Sequence, residues 1–190
     1  MARSSCVLLI LVFLYAGCKP GKHSQPVPPE VLVKHNDRKL NRYDNRWRYN
    51  GRLFSGYIIQ EQANKTLIYK LPVIDGLANG LAFGYYENGH KMLERFFVNE
   101  TLQGPYKQWW RNGQYRYLFF YKENKYEGAQ KVFFENGKLR EESNFSNGKP
   151  EGLQRVWNEN GELISNYTIR NNKLYGIIKV ESCIPGAANK

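Results

Sequence analysis

Residues 104–128 read GPYKQWWRNGQYRYLFFYKENKYEG, and their spacing decides the fold. Two aromatic, β-prone runs flank Asn112-Gly113. Asn-Gly between such runs is a strong hairpin signal, because a two-residue type I′ turn needs φ > 0 at both central positions and these residues accept it most readily. Gly104 and Gly128 bound the stretch 24 residues apart, and the spacing continues in both directions through Gly56, Gly80, Gly152 and Gly176. A second series keeps the same period: Asn88-Gly89, Asn112-Gly113, Asn136-Gly137 and Asn160-Gly161, with Asn64-Lys65 as a decayed first member. Two interlocked series at one period mark a tandem repeat.

Other positions follow the same register. Tyr85, Trp109, Phe133 and Trp157 form one column, and Phe97, Tyr121, Phe145 and Ile169 form another. Both columns are expected to mark buried faces. A second, looser turn closes each repeat, as in Asp75-Gly76-Leu77-Ala78-Asn79-Gly80 and Ser146-Asn147-Gly148-Lys149-Pro150-Glu151-Gly152. Strands joined by short turns pair antiparallel, so the expected fold is all-β: an elongated up-and-down meander of about eleven strands. At ~3.4 Å per residue and ~4.8 Å between strands, the sheet would be about 25 Å tall and about 50 Å long. One hairpin cannot bury its own apolar face, so stability should be close to a sum over neighbouring repeats, and loss of a middle repeat should leave the fold intact.

The composition agrees, with 14 Tyr, 10 Phe and 4 Trp beside 17 Gly and 2 Met. The net charge of +11 is uneven. Residues 19–52 hold nine Lys or Arg against Glu30, Asp37 and Asp44, so the rest of the chain is only mildly basic. That weakens any argument from charge to nucleic acid, which is not an expected partner. Residues 18–46 contain Pro20, Pro26, Pro28 and Pro29 with many cations and no sustained periodicity, the composition of a spacer, preceding a repeat domain at 47–181 and a tail at 182–190.

Residues 1–17 carry Arg3, the apolar run Val7 to Leu14, and the small pair Ala16-Gly17. This is a signal-peptide pattern, too short to span a bilayer as a helix. With Cys18 the segment Leu14-Tyr15-Ala16-Gly17-Cys18 resembles a bacterial lipobox, with Tyr15 where that pattern prefers Leu. The resemblance implies lipidation of Cys18 and attachment to membrane lipid; Lys19 in place of Asp implies the outer membrane. The alternative is an ordinary cleaved signal in which Cys18 has no role. Acylated Cys18 would leave Cys183 as the one free thiol of the mature chain, and no intramolecular disulfide.

The cycle Tyr49-Asn50-Gly51-Arg52-Leu53-Phe54-Ser55-Gly56-Tyr57, with later ones such as Gly128 to Glu142, resembles the bacterial variant of the MORN repeat. Proteins of this kind are often labelled YwqK-type antitoxin components. The resemblance covers about residues 47 to 180, and it implies a repeat scaffold.

No catalytic constellation is legible. His23, His35 and His90 build no acid–base or metal cluster by spacing, and Glu87, Glu135, Glu141, Glu142 and Glu159 read as solvated residues beside turns. Gly148 to Gly152 lacks the spacing and the following helix of a phosphate loop. No metal or cofactor is expected. Strand alternation sends Trp109 to the core and Trp110 to the other face; Trp110, with Tyr86 and Phe134, either packs a second face or lines an exposed binding surface. The expected function is a non-enzymatic, membrane-anchored scaffold in the cell envelope that binds an envelope protein or a polysaccharide. The alternative is an antitoxin that neutralises a cognate toxin protein.

Overall fold

The computed structural model describes residues 26–177; Cys18, Cys183, the signal segment and the tail lie outside the described residues. These residues form seventeen strands and no helix. The first seven are β1 (Leu32–Lys34), β2 (Leu40–Tyr43), β3 (Arg46–Tyr49), β4 (Arg52–Leu53), β5 (Gly56–Glu61), β6 (Leu67–Ile74) and β7 (Leu77–Ala78). There follow β8 (Gly80–Tyr85), β9 (Lys91–Val98), β10 (Thr101–Trp109), β11 (Tyr115–Lys122) and β12 (Lys125–Tyr126). The last are β13 (Gly128–Phe133), β14 (Leu139–Ser146), β15 (Lys149–Trp157), β16 (Leu163–Arg170) and β17 (Lys173–Ile177).

The expected meander is present as the larger of two sheets. It has fourteen strands in the order β1-β5-β6-β8-β9-β10-β11-β13-β14-β15-β16-β17, with β7 on β6 and β12 on β11. From β5 to β17 successive strands of this order pair antiparallel, with the two-residue strands β7 and β12 set between β6 and β8 and between β11 and β13 in the chain.

The spacer expected at 18–46 is folded in its later part. Val31 and the residues after it lie against the repeats: β1 pairs parallel with β5, placing Val33 beside Ile58, and Val33 is buried. Strands β2, β3 and β4 form a separate three-stranded sheet. These strands are too short to show periodicity, and the partner of β1 lies more than twenty residues along the chain. Both facts hid them from a reading of local pattern.

The two turn series exchange the roles expected of them. In the hairpin at Asn88-Gly89, Gly89 N–H donates to Tyr86 O (2.9 Å) and Tyr86 N–H donates to His90 O (2.8 Å). Only the glycine has positive φ, +84°. This is a three-residue loop, a type I turn followed by a left-handed glycine. The same holds at Gly113, Gly137 and Gly161. Within the large sheet the two-residue turns with both central φ positive fall in the other series, Asp75-Gly76, Asn99-Glu100, Glu123-Asn124, Asn147-Gly148 and Asn171-Asn172, while Asp44-Asn45 and Asn50-Gly51 make the same turn in the small sheet.

The glycines of the 24-residue series all have positive φ, and the strand pairing breaks or shifts beside most of them. One buried glutamine repairs the opening beside Gly128. Gln130 Nε2 donates to the carbonyls of Phe120, Glu127 and Gly128 at 3.0–3.2 Å, and its Oε1 accepts from Phe120 N–H at 2.8 Å. Gln154 does the same one repeat later, donating to Asn144 O and Gly152 O. Gln130→Leu leaves these backbone groups without partners and should destabilise the chain by about 1–3 kcal/mol, measured by urea unfolding.

The core sits at the N-terminal end of the large sheet. The three-stranded sheet lies over one face there, the inner face, and Leu40 and Phe54 join Val33, Ile58, Leu71, Val73, Ala78, Ala82 and Phe97 in a single cluster. Trp47, Tyr49, Tyr69 and Leu102 pack against it. Two hydrogen bonds lock the sheets together at the Asp75-Gly76 turn: Gly76 N–H to Phe54 O (2.7 Å) and Trp47 N–H to Gly76 O (2.8 Å).

The aromatic columns are therefore not uniformly buried, contrary to expectation. Phe97 and Trp109 are buried, whereas Tyr121, Phe145, Ile169, Tyr85, Phe133 and Trp157 are half-exposed. The Phe97 column lies on the inner face and is buried only where the second layer covers it, up to about β10. The Tyr85 column alternates onto the outer face, where Trp109 is buried against the stacked Tyr115 ring (5.4 Å).

Candidate functional site

Pairing register places the residues of the inner face in rows. One row runs Gly84, Leu93, Gln108, Tyr117, Val132, Glu141 and Val156; the next runs Ala82, Arg95, Tyr106 and Phe119. Beyond β10, where the small sheet no longer covers this face, six rings gather: Tyr106, Tyr117, Phe119, Tyr121, Tyr126 and Phe145. Tyr117 and Phe119 stack at 5.0 Å between centroids, Tyr121 and Tyr126 stand at 4.9 Å, and Tyr126 meets Phe145 at 5.1 Å. They line an open groove of about 500 Å³ with Gln130, Val132, Arg140, Glu141 and Ser143.

Charge is sparse in the groove, with Arg95 at its border across from Tyr106. Among ladder residues from β10 onward, Glu141 is the one charged side chain on this face, and Arg140 lies beside it at a strand irregularity. The outer face differs. Its central row holds Lys107, Lys131, Glu142 and Arg155, the last three in an ion-pair network. Burial alone would raise the Glu142 carboxyl, but Arg155 and Lys131 together hold it below the usual carboxylate range.

Burial raises the Tyr121 hydroxyl well above its ordinary value near 10, helped by its hydrogen bond to Tyr126, and raises Tyr106 in the same direction. A neutral form protected in the folded state and not in the unfolded one makes stability depend on pH. The contribution is complete below about pH 10 and is lost as pH climbs from there toward the folded value. Unfolding midpoints should hold level to about pH 9.5 and fall beyond it. Absorbance titration near 295 nm should show at least two late-ionising tyrosines, and Tyr121→Phe should remove part of the fall.

Of the candidate binding-surface residues Tyr86, Trp110 and Phe134, the first two make contacts between repeats. Tyr86 Oη donates to Trp109 O at 2.7 Å and Trp110 Nε1 donates to Phe133 O at 3.2 Å, each reaching one repeat ahead. Arg116 covers the Trp110 ring at 4.4 Å and Arg111 lies 5.4 Å from the Tyr86 ring. All three rings are half-buried. Tyr86 and Trp110 thus link neighbouring repeats, because a tyrosine hydroxyl or indole N–H beside a turn finds the next repeat's free carbonyl.

The Asn-Gly series does the same along that edge. Asn88 Nδ2 donates to Arg111 O (3.1 Å) and Asn112 Nδ2 to Glu135 O (2.7 Å), while their Oδ1 atoms accept from His90 and Gln114 N–H. Lys138 Nζ takes the equivalent place at Asn136-Gly137, donating to Glu159 O at 3.0 Å.

The groove itself was legible in part. Tyr121 and Phe145 stand in one repeat column, and Tyr106 and Tyr117 lie in the aromatic and cationic stretch around Asn112-Gly113, whereas Phe119 and Tyr126 belong to neither pattern. The alternation Tyr115-Arg116-Tyr117-Leu118-Phe119-Phe120-Tyr121 carries the signal, since Tyr117, Phe119 and Tyr121 share a face.

Each unit of strand, Asn-Gly loop and strand between two successive two-residue turns is thus one structural repeat. Three tandem segments match the MORN repeat variant. They are residues 78–99, 102–123 and 126–147, and each ends within a two-residue turn. The MORN repeats account for the middle of the large sheet, and the same geometry extends beyond them, to β5 and β6 on one side and β15 to β17 on the other. No curated protein matches the chain. The groove of six rings lies entirely within the second and third MORN repeats.

Proposed function

We propose that the chain is a non-catalytic scaffold, held at a membrane by lipid on Cys18, whose open inner face binds a macromolecular partner in the cell envelope. One observation carries this reading: the face that the small sheet covers over β5 to β9 continues from β10 as an uncovered aromatic groove, with Arg95 at its border and Arg140 and Glu141 in its lining. Apolar surface of this kind costs free energy in water, about 25 cal/mol for each Å² left bare, and a contiguous patch marks a docking site.

A protein suits the groove better than a polysaccharide. Six rings and Val132 make the lining mainly apolar, the composition of the core of a protein interface. The two described histidines serve packing and turns: His35 meets the Trp47 ring edge-on at 6.0 Å, and His90 Nδ1 lies 2.7 Å from Arg111 O.

The test is a photo-crosslinking residue placed at position 117 or 120 of the full chain in its own membrane. Tyr117 is on the groove; Phe120 is exposed on the outer face. Adducts from 117 and none from 120 are expected. Adducts from 120 alone, or from neither, would refute the proposed binding face.

A further inference from the structure

We infer that the partner on the open inner face is a second copy of this chain, the two sheets packing face to face about a twofold axis. The inference rests on the reading of that face as the binding face. Continuity supports it first. Where this face is covered, from β5 to β9, the cover is another β-sheet of the same chain, bringing Trp47, Tyr49 and Phe54 onto it. The open part presents the same kind of ring-rich β surface, and two aligned sheets interdigitate at about 10 Å separation.

Charge supports it second. A net charge of +11 opposes self-association in general. The inner face from β10 carries little of that repulsion: its one ladder charge is Glu141, with Arg140 adjacent, and Arg95, at its border beside Tyr106, is turned to Tyr69, donating to its hydroxyl at 2.8 Å. In a twofold contact Arg140 of each copy can meet Glu141 of the other, so the charges become self-complementary. Depletion of charge with enrichment of tyrosine is also the composition of a homodimer core.

Area supports it third. Strands β10, β11 and β13 to β17 at ~4.8 Å spacing, with about six residues each at ~3.4 Å, give a footprint of about 600 Å² per copy. The pair would bury about 1,200 Å², which reaches the lower end of specific interfaces.

Sedimentation equilibrium of the purified full chain, in density-matched detergent, should report a dimer. Tyr117→Lys should weaken it about tenfold or more, while Phe120→Lys on the outer face leaves it unchanged. Circular dichroism separates unfolding from dissociation, and Arg140→Glu offers a milder second variant. Arg140→Glu should weaken the dimer, and the exchange of both charges, Arg140→Glu with Glu141→Arg, should restore it. A monomer at 100-fold excess over the working concentration, or a dimer broken only by Phe120→Lys, overturns the inference. A monomer that still crosslinks from position 117 to another macromolecule overturns self-pairing and leaves the binding face standing. A monomer with no adduct from 117 overturns both.

Discussion

Gly56→Ala should cost about 3–5 kcal/mol, whereas Gly104→Ala at the equivalent position two repeats later should cost about 1–2 kcal/mol. Gly56 has φ +151°, a conformation that side chains rarely adopt, and a methyl there would stand 2.5 Å from Val31 O and 2.7 Å from the Phe54 ring. Val31 is fixed by its own bonds, its carbonyl accepting from Tyr57 N–H at 2.7 Å, so the backbone cannot yield without detaching β1. Gly104 has φ +73° with nothing within 4 Å of the added carbon, and only the left-handed conformation is penalised. Urea unfolding of the two variants measures the difference. Equal losses would mean that the glycine series is required by backbone conformation alone.

Ile58→Ala is expected to cost about 3–5 kcal/mol, and Ile169→Ala, far along the same face, about 1 kcal/mol or less. Ile58 is fully buried, sandwiched between Val33 and Leu71 on the neighbouring strands and covered by the small sheet. Removing it leaves a cavity that two locked sheets cannot close. Ile169 is half-exposed beyond the covered region, so truncation removes little area from a packed environment. Hydrogen exchange should show the same gradient, with amides of β5 and β6 opening last and those of β16 and β17 first. A uniform response along the sheet would contradict a core confined to one end.

Repeat length, strand direction and the glycine positions could be read from residues 104–128 outward, because each depends on local spacing. The assignment of turn types could not. Asn-Gly suits both a two-residue turn and a three-residue loop ending in a left-handed glycine, and the dipeptide alone does not choose between them. The actual two-residue turns include Asn99-Glu100 and Glu123-Asn124, which carry no glycine to announce positive φ. Folding of β1 to β4 was equally hidden, since a three-residue strand has no period and its partner is distant.

Identifying the open face needed the third dimension. Aromatic residues occupy both Trp110 and Tyr117, and chemistry alone ranks the tryptophan higher as a binding residue. What separates them is where their neighbours lie: Trp110 reaches the next repeat's carbonyl, and Tyr117 has the Phe119 ring on one side and an uncovered groove on the other. Only the position of the small sheet, set by contacts between residues 31–54 and the first repeats, tells which face is closed and how far.

The inner face beyond β10 is open in the isolated chain, and we propose that a partner covers it in the cell. Oxidative footprinting of tyrosines, on the purified chain diluted to monomer and on the chain inside the cells that make it, tests this most directly. Tyr106, Tyr117, Tyr121 and Tyr126 should react in the monomer and be protected in the cell, while Tyr43, which is 71% exposed on the small sheet, should react equally in both. Equal labelling of the four groove tyrosines in the two states would contradict the account.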